Sequence, residues 1–362
     1  MRFHAPYMEW AKKRPAATYD LAGSNVLSCS LDDLEGARDA LLLSGSNDNG
    51  YQPLLDAIAR RYMVRPEQVT TANGAAGANF QAMAAVLEPG DDVLMERPGY
   101  DPLPGGARLL GASIVRFDRR FEDDFALDPD AVARALTPRT RLIILSSPHN
   151  PTGALADRAA LEAIGRLAST ASAHVLVDEV YLDAAEPARQ PAALIGEPST
   201  SPFISTSSLT KSYGLSSLRC GWTISSAAVA ERIRRARDVI DGSGSIATER
   251  LATLAFAQLG RLEARAAALL GVNRPLVHAF LRGRPEIDVV LPRNSTVVFP
   301  RLRSVRDTSK FAERLLADYG TAIVPGRFFE APAHFRLGFG GPTEIVRAGL
   351  EHIGRALDTA EY

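Results

Sequence analysis

The chain has 362 residues, of which 46% are hydrophobic, so it can bury a large core and is long enough for two domains. Its 41 basic and 42 acidic residues leave a formal net charge of -1, which excludes a broad electrostatic attraction to nucleic acid or to an anionic membrane. Small molecules are therefore the expected partners.

Neither secretion nor a metal centre is expected from the sequence. Residues 1–17 contain charges and prolines but no apolar run, so they predict neither a signal peptide nor a membrane anchor. The two cysteines, Cys29 and Cys220, have neither CxxC spacing nor a nearby histidine pair, which argues against a zinc site and a disulfide framework. We expect a cytoplasmic protein with no bound metal.

Short apolar runs alternate with stretches of helical periodicity between about residues 70 and 225. This rhythm predicts a mostly parallel sheet with crossover helices. The predicted strands are 92–96, 113–117, 141–145, 174–178, 203–205 and 220–224. Crossover helices are predicted at 129–136 and 157–171, the second with Asp157 as its N-cap.

From residue 227 the sequence becomes helical to about residue 271, and the remainder combines helices with short predicted strands at 296–299, 322–324 and 335–337. This composition predicts a second, smaller α+β domain. We expect a large sheet domain at 41–265 and a small C-terminal domain at 266–362, with residues 1–40 packing on the small domain.

Polar side chains follow three predicted strands in succession, namely Asn150, then Asp178 with Tyr181, then Lys211. Ligands of open α/β sheets bind beyond the carboxyl ends of the strands, so these four side chains should meet at one site. Taken singly, each has an ordinary explanation as a turn, a helix cap or an exposed lysine. Together, the three strand ends supply an amide, a carboxylate, a phenol and an amine.

The order Asn, Asp, Tyr, Lys resembles that of the aminotransferase class I/II family, the fold-type I pyridoxal-phosphate enzymes, over nearly the whole chain. Its most specific segment runs from Ser208-Leu-Thr-Lys211 to Arg219-Cys-Gly221, which is similar to the family's Ser, Ser/Thr, Lys, Arg-x-Gly pattern. The resemblance implies an α/β fold with a large, mixed, mostly parallel sheet domain that binds pyridoxal 5'-phosphate and a smaller α+β domain.

By this resemblance, Lys211 carries the cofactor as a Schiff base and moves protons, and Asp178 keeps the pyridine nitrogen protonated. Asn150 and Tyr181 would hydrogen-bond the phenolic oxygen of the ring, which makes Lys211, Asp178 and Tyr181 the expected catalytic residues. Elementary chemistry agrees, because a partly desolvated lysine beside another cation has a lowered amine pKa and becomes nucleophilic near neutral pH.

The resemblance also assigns the phosphate to a group of donors that surround a helix N-terminus, where backbone amides and the helix dipole favour an anion. These donors are Asn73, Gly74, Ala75, Ser208, Thr210 and Arg219.

Two further residues come from shorter segments that resemble the family. Tyr100, in Pro98-Gly-Tyr100, is the expected aromatic that stacks on the cofactor ring. Arg336, in Phe335-Arg-Leu, is the expected arginine for the substrate α-carboxylate, with Asn150 as its neighbour in substrate binding.

The sequence departs from the family at two places. A tyrosine that the family donates to the partner subunit's phosphate is missing near Gly45, and 241–247 contains no second arginine of the kind that dicarboxylate-specific members present. The identity of the substrate therefore stays open.

The expected function is an aminotransferase that moves an amino group between an α-amino acid and a 2-oxo acid by a ping-pong mechanism, and the family implies a homodimer. A β-lyase, a decarboxylase or a cyclase would use the same Lys211, Asp178 and Arg219, and a non-catalytic cofactor-binding relative is a further alternative.

Overall fold

The computed structural model describes residues 4–185, 189–293 and 295–359. Its strands are, in chain order, β1 Tyr19–Asp20, β2 Val69–Asn73, β3 Asp92–Arg97, β4 Ser113–Asp118, β5 Thr140–Ser146, β6 His174–Asp178, β7 Phe203–Ser208, β8 Cys220–Ile224, β9 Ile287–Asp288, β10 Val297–Val298, β11 Arg301–Leu302, β12 Thr321–Ala322, β13 Val324–Pro325 and β14 Phe335–Gly338.

Its α-helices are α1 Pro6–Lys13, α2 Ala37–Ala40, α3 Gln52–Tyr62, α4 Gly74–Val86, α5 Pro102–Leu109, α6 Pro129–Ala135, α7 Arg158–Thr170, α8 Leu182–Ala185, α9 Ala227–Ile240, α10 Ile246–Ala257, α11 Leu259–Arg282, α12 Ser309–Tyr319 and α13 Thr343–Asp358. Within the described ranges, none of these helices is long and apolar enough to cross a membrane.

A seven-stranded sheet forms the centre of the molecule, in the order β2-β8-β7-β6-β5-β3-β4. The strands from β7 to β4 pair in parallel, whereas β8 runs antiparallel to both of its neighbours. The predicted mixed, mostly parallel sheet is confirmed. The predicted crossover helices form as α6 and α7, and the Asp157 carboxylate caps α7 by accepting from the backbone nitrogen of Ala159.

Both faces of this sheet are covered by helices, which explains why central strands such as β5 and β6 have apolar side chains on both faces. In β5, Leu142 and Ile144 pack with the helices α4 and α9 on one face, whereas Ile143 and Leu145 pack with α7 on the other. Successive side chains of a strand point to opposite faces, so one short run of the sequence contributes to two layers of the core.

The smaller sheets lie in the C-terminal part of the chain and include a strand from its beginning. The strands β10, β14 and β13 form an antiparallel sheet, and β1 pairs in parallel with β12. The prediction of one strand at 322–324 is wrong, because β12 and β13 pair with different partners on either side of Ile323.

The predicted domain limits are not marked by a break in the chain. Helix α11 runs without interruption through the expected boundary at residue 265 and past Gly271, where the sequence predicted the helical stretch to end. Leu21 belongs to the core of the C-terminal part, whereas Leu34 packs in the core beside α3 and β8. The limits themselves stay a prediction.

Candidate functional site

A cavity of about 360 Å³ opens at the carboxyl ends of β5, β6 and β7. Parallel strands end at the same edge of a sheet, so the segments that follow them converge there. Most of the residues that the sequence predicted for the site line this cavity, namely Ala75, Tyr100, Asn150, Asp178, Tyr181, Ser208, Thr210, Lys211, Arg219 and Arg336.

The other two predicted residues, Asn73 and Gly74, lie behind the guanidinium of Arg219 and do not line the cavity. The Nη2 atom of Arg219 donates a hydrogen bond of 3.3 Å to the carbonyl oxygen of Asn73. A Cβ atom on Gly74 would lie 2.2 Å from the same Nη2, so the glycine leaves room for the arginine. A Cβ on Gly221 would lie 2.3 Å from the backbone of Gly74, which explains the glycine of the Arg-x-Gly motif.

The amine of Lys211 lies in the middle of the cavity wall and has two acceptors. Its Nζ atom donates to Asn25 Oδ1 at 2.6 Å and to Ser24 Oγ at 2.9 Å. Burial and then the positive charge of Arg336 lower the pKa of this amine to about 7, against the opposing charge of Asp178. Close to neutral pH, the amine can therefore both accept and donate a proton.

The carboxylate of Asp178 is held by two donors at the end of β6. Asn79 Nδ2 donates to Asp178 Oδ2 at 2.8 Å, and the backbone nitrogen of Val180 donates to Oδ1 at 3.1 Å. Asn79 is itself oriented by Thr206, whose Oγ1 donates to Asn79 Oδ1 at 2.6 Å. Burial raises the pKa of Asp178, and the hydrogen bond from Asn79 opposes that rise.

Arg336 is fully buried at the opposite wall, on β14. Its Nη1 atom donates to Asn150 Oδ1 at 3.1 Å, and its Nη2 atom donates to the hydroxyl of Tyr7 at 2.8 Å and to the carbonyl oxygen of Ala22 at 2.9 Å. The Nε atom has no hydrogen-bond partner among the described residues. A buried guanidinium with a spare donor is a site for an anion.

Asn150 is held in place by a buried ion pair behind the cavity. Its backbone nitrogen donates to Ser146 Oγ at 3.2 Å, and that hydroxyl donates to Glu96 Oε1 at 2.5 Å. Glu96 in turn accepts from Arg119 Nη1 at 3.0 Å, and both charged side chains are at least nine-tenths buried. The loop after β5 is therefore fixed before any ligand binds.

Two aromatic side chains and one hydroxyl complete the part of the cavity that the sequence predicted. Tyr100 meets the ring of Tyr7 edge to face, with their centroids 6.0 Å apart. The hydroxyl of Tyr181 donates to Ser24 Oγ at 2.9 Å, and burial raises its pKa to about 12. The hydroxyl of Thr210 is buried and has no partner within the described part of the chain, so it is available to a ligand.

Sequence reasoning missed several lining residues, among them Tyr7, Met8, Ser24, Asn25 and Asn79. Asn79 lies inside an alanine-rich helix and carries no local signal. The other four come from the N-terminal segment, where no motif indicates a site. No group of three or more His, Cys, Asp or Glu side chains that could hold a metal ion occurs in residues 4–185, 189–293 and 295–359.

Comparison with known proteins places this cavity in a family. The family model described as aminotransferase class I and II matches residues 29–353. Capreomycidine synthase of Streptomyces vinaceus is 31% identical over 98% of this chain and 94% of its own length. The arginine–pyruvate transaminase of Pseudomonas aeruginosa is 30% identical over 91% of this chain and 86% of its own. The solved structure of the PLP-dependent cyclase OrfR has a TM-score of 0.86 at 26% identity, over 99% of this chain and 98% of that one.

Proposed function

We propose that this chain, which belongs to the aminotransferase class I and II family and uses pyridoxal 5'-phosphate, transfers an amino group between an α-amino acid and a 2-oxo acid. One observation carries the proposal. A single cavity combines the low-pKa amine of Lys211, the buried carboxylate of Asp178 and the buried guanidinium of Arg336.

The residues present fit the cofactor. The unpartnered hydroxyl of Thr210, the guanidinium of Arg219 and the first turn of α4 at Ala75 and Ala76 line the cavity and suit a phosphate. Asp178 suits a protonated ring nitrogen, and Tyr100 offers an aromatic face. Pyridoxal phosphate, when bound, supplies an electron sink for negative charge that develops at the substrate α-carbon.

The chain's own residues would divide the remaining work. Lys211 would hold the cofactor covalently and, once released, accept the α-proton and return it. Arg336 would bind the α-carboxylate through a guanidinium that Asn150 and Tyr7 already orient. Tyr181 would hydrogen-bond the phenolic oxygen of the cofactor.

We also propose that the protein is a homodimer. Apolar exposure is concentrated in two short segments, because Leu41, Leu42 and Leu43 are 40%, 50% and 81% exposed and Val239 is 88% exposed next to Ile240 at 40%. The segments that carry them are neighbours, because Arg235 donates to Asn49 Oδ1 at 3.1 Å and Arg250 donates to the carbonyl oxygen of Ser44 at 3.3 Å. A second copy of the chain is the partner that would cover this face.

A cytoplasmic location is a further proposal, and it agrees with the two cysteines being free.

A cyclase is the second candidate function, and the similarity to the PLP-dependent cyclase OrfR favours it. The same lysine, carboxylate and arginine would serve, because the bond that breaks depends on which substrate bond stands perpendicular to the cofactor ring. A β-lyase or a decarboxylase would need the same groups.

The experiment that separates these functions is a panel of amino donors, each tested with and without a 2-oxo acid acceptor. Transamination requires one molecule of 2-oxo acid for each amino acid consumed, and a change of cofactor absorbance on adding the donor that the acceptor reverses. An amino acid that is consumed without an equivalent of 2-oxo acid would exclude transamination and favour the cyclase or the lyase. A chain that consumes none of the panel would fit the non-catalytic alternative.

A further inference from the structure

Residues 19–26 form a strap that runs from the small sheets to the lysine of the cavity. At one end, β1 pairs with β12, and the backbone nitrogen of Gly338 donates to the carbonyl oxygen of Leu21 at 2.8 Å. At the other end, the backbone nitrogen of Val26 donates to the carbonyl oxygen of Lys211 at 3.0 Å. The strap is therefore fixed on both sides of the cavity.

The backbone of the strap also packs so closely against two glycines that neither position could carry a side chain. A Cβ atom on Gly338 would lie 1.6 Å from the carbonyl oxygen of Gly23, and one on Gly340 would lie 2.3 Å from that of Asn25. Thr296 Oγ1 donates to the carbonyl oxygen of Ser24 at 2.9 Å. Side chains on this part of the strap are consequently held at defined positions.

Two of those side chains meet the amine of Lys211. Asn25 Oδ1 accepts from Nζ at 2.6 Å, and Ser24 Oγ accepts from Nζ and from the hydroxyl of Tyr181, each at 2.9 Å. Because Ser24 Oγ already accepts two hydrogen bonds, its own hydrogen is free to point into the cavity. No other hydrogen bond of Nζ is found within the described part of the chain.

We propose that Ser24 and Asn25 are positioning residues for Lys211, which hold its amine at the reacting centre whenever the amine is not bonded to the cofactor. The inference rests on the proposed function in one respect, since it takes Lys211 as the lysine that carries the α-proton. In that step the lone pair of Nζ accepts the α-proton, and the resulting ammonium group later gives up one of its protons, so Ser24 and Asn25 only accept hydrogen bonds from Nζ throughout.

The two acceptors also influence the charge of the amine. Burial and the positive charges of Arg336 and Arg219 favour the neutral amine, and Asp178 opposes them. The phenol of Tyr181 donates to the same serine and is neutral near pH 7, and burial raises its pKa further, to about 12. Hydrogen-bond acceptors stabilise the protonated amine, so we expect removal of the Asn25 acceptor to lower the pKa of Lys211.

The test measures the pKa of Lys211 directly in the full-length protein without cofactor. Carbamylation of Lys211 by cyanate is followed across pH by peptide mass spectrometry. The midpoint should fall by about one unit in Asn25→Leu, which removes the acceptor, and rise by about one unit in Asn25→Asp, which adds a negative charge. Ser28→Ala, a change of an exposed residue shortly after Asn25 in the same segment, should leave the midpoint unchanged.

A second readout uses the enzyme loaded with cofactor. Exchange of the α-hydrogen of the amino donor with solvent deuterium, followed by NMR, should slow by about ten-fold in Asn25→Leu, with an unchanged KM. This exchange does not require that a 2-oxo acid is formed, so it separates the role of the strap from the question of transamination.

Opposite shifts in the two Asn25 variants cannot arise from a loss of folding, because a misfolded chain would move both midpoints towards that of an ordinary lysine. Identical midpoints in Asn25→Leu, Asn25→Asp and the unchanged protein would overturn the proposal, as would unaltered exchange. Absence of a 2-oxo acid product with shifted midpoints would overturn transamination alone.

Discussion

The two walls of the cavity are built in different ways. In the large-sheet wall, Asp178 and Lys211 follow β6 and β7. These strands are consecutive in the chain and pair in parallel, so the two residues come close in space. The opposite wall joins Tyr7 and Asn25, from the beginning of the chain, to Arg336 on β14 near its end. In the proposed function, covalent cofactor chemistry would fall to the first wall, whereas substrate recognition and the orientation of the lysine would fall to the second. Changes in the first wall should impair every reaction, whereas a change of Arg336 in the second should discriminate between substrates with and without a carboxylate.

The largest effect is expected for Lys211→Ala, which tests the large-sheet wall. Loss of the amine removes both the covalent attachment of the cofactor and the proton carrier, so turnover should fall by at least about 10³-fold. The visible absorbance that depends on the lysine should disappear from the purified protein. Lys310→Ala, a change of an exposed lysine on α12, is the matched control and should keep both. Full activity without Lys211 would show that the proposed division of the walls is wrong.

A smaller and more selective effect is expected for Arg336→Lys in the opposite wall. Lysine keeps the positive charge but loses the fork that contacts both Asn150 and Tyr7, so kcat/KM for α-amino acids should fall by about 100-fold. Primary amines without a carboxylate should be handled as before, because they make no use of the guanidinium. The comparison is made by steady-state kinetics on paired substrates, with Arg327→Lys as the exposed control. An equal loss for both substrate classes would assign Arg336 to folding rather than to recognition.

The same contrast explains how much of the molecule could be predicted from the sequence. The strands of the central sheet and the polar residues at their ends follow from local patterns, and the resemblance of their order to the family then singled out Asp178 and Lys211. Arg336 became a candidate only through its resemblance to a family segment. The split of 322–324 into two strands was not predictable, since it depends on pairing with β1, far away in the chain.

The residues that sequence reasoning missed make contacts of high sequence separation. Asn25 and Lys211 are 186 positions apart, and Tyr7 and Arg336 are 329 positions apart. Nothing in a single sequence reports which distant segments will cross. An asparagine or a tyrosine in the N-terminal segment has the same local signature whether it faces solvent or a catalytic lysine.

Asn79 provides the smallest predicted effect and the sharpest test of the large-sheet wall, because it acts only through Asp178. Leucine is close to asparagine in shape and size but cannot donate a hydrogen bond. In Asn79→Leu, the pKa of Asp178, already raised by burial, should therefore rise further. A larger fraction of Asp178 is then protonated near neutral pH. Activity should fall by about ten-fold there and recover as the pH is increased, because deprotonation restores the partner of the ring nitrogen.

Gln81→Leu on the same helix is the control for this pH profile. Gln81 Nε2 donates to Asp241 Oδ2 at 2.7 Å, away from the cavity, so its removal takes a buried amide from α4 without touching Asp178. If both variants lose activity equally at every pH, the loss belongs to the packing of α4. A loss that is confined to Asn79→Leu and reversed at high pH means that the pKa of Asp178 depends on its hydrogen bond with Asn79, which is 99 positions away in the sequence. The large-sheet wall, whose residues the sequence predicts, would then depend on the contact between Asn79 and Asp178, which the sequence does not predict.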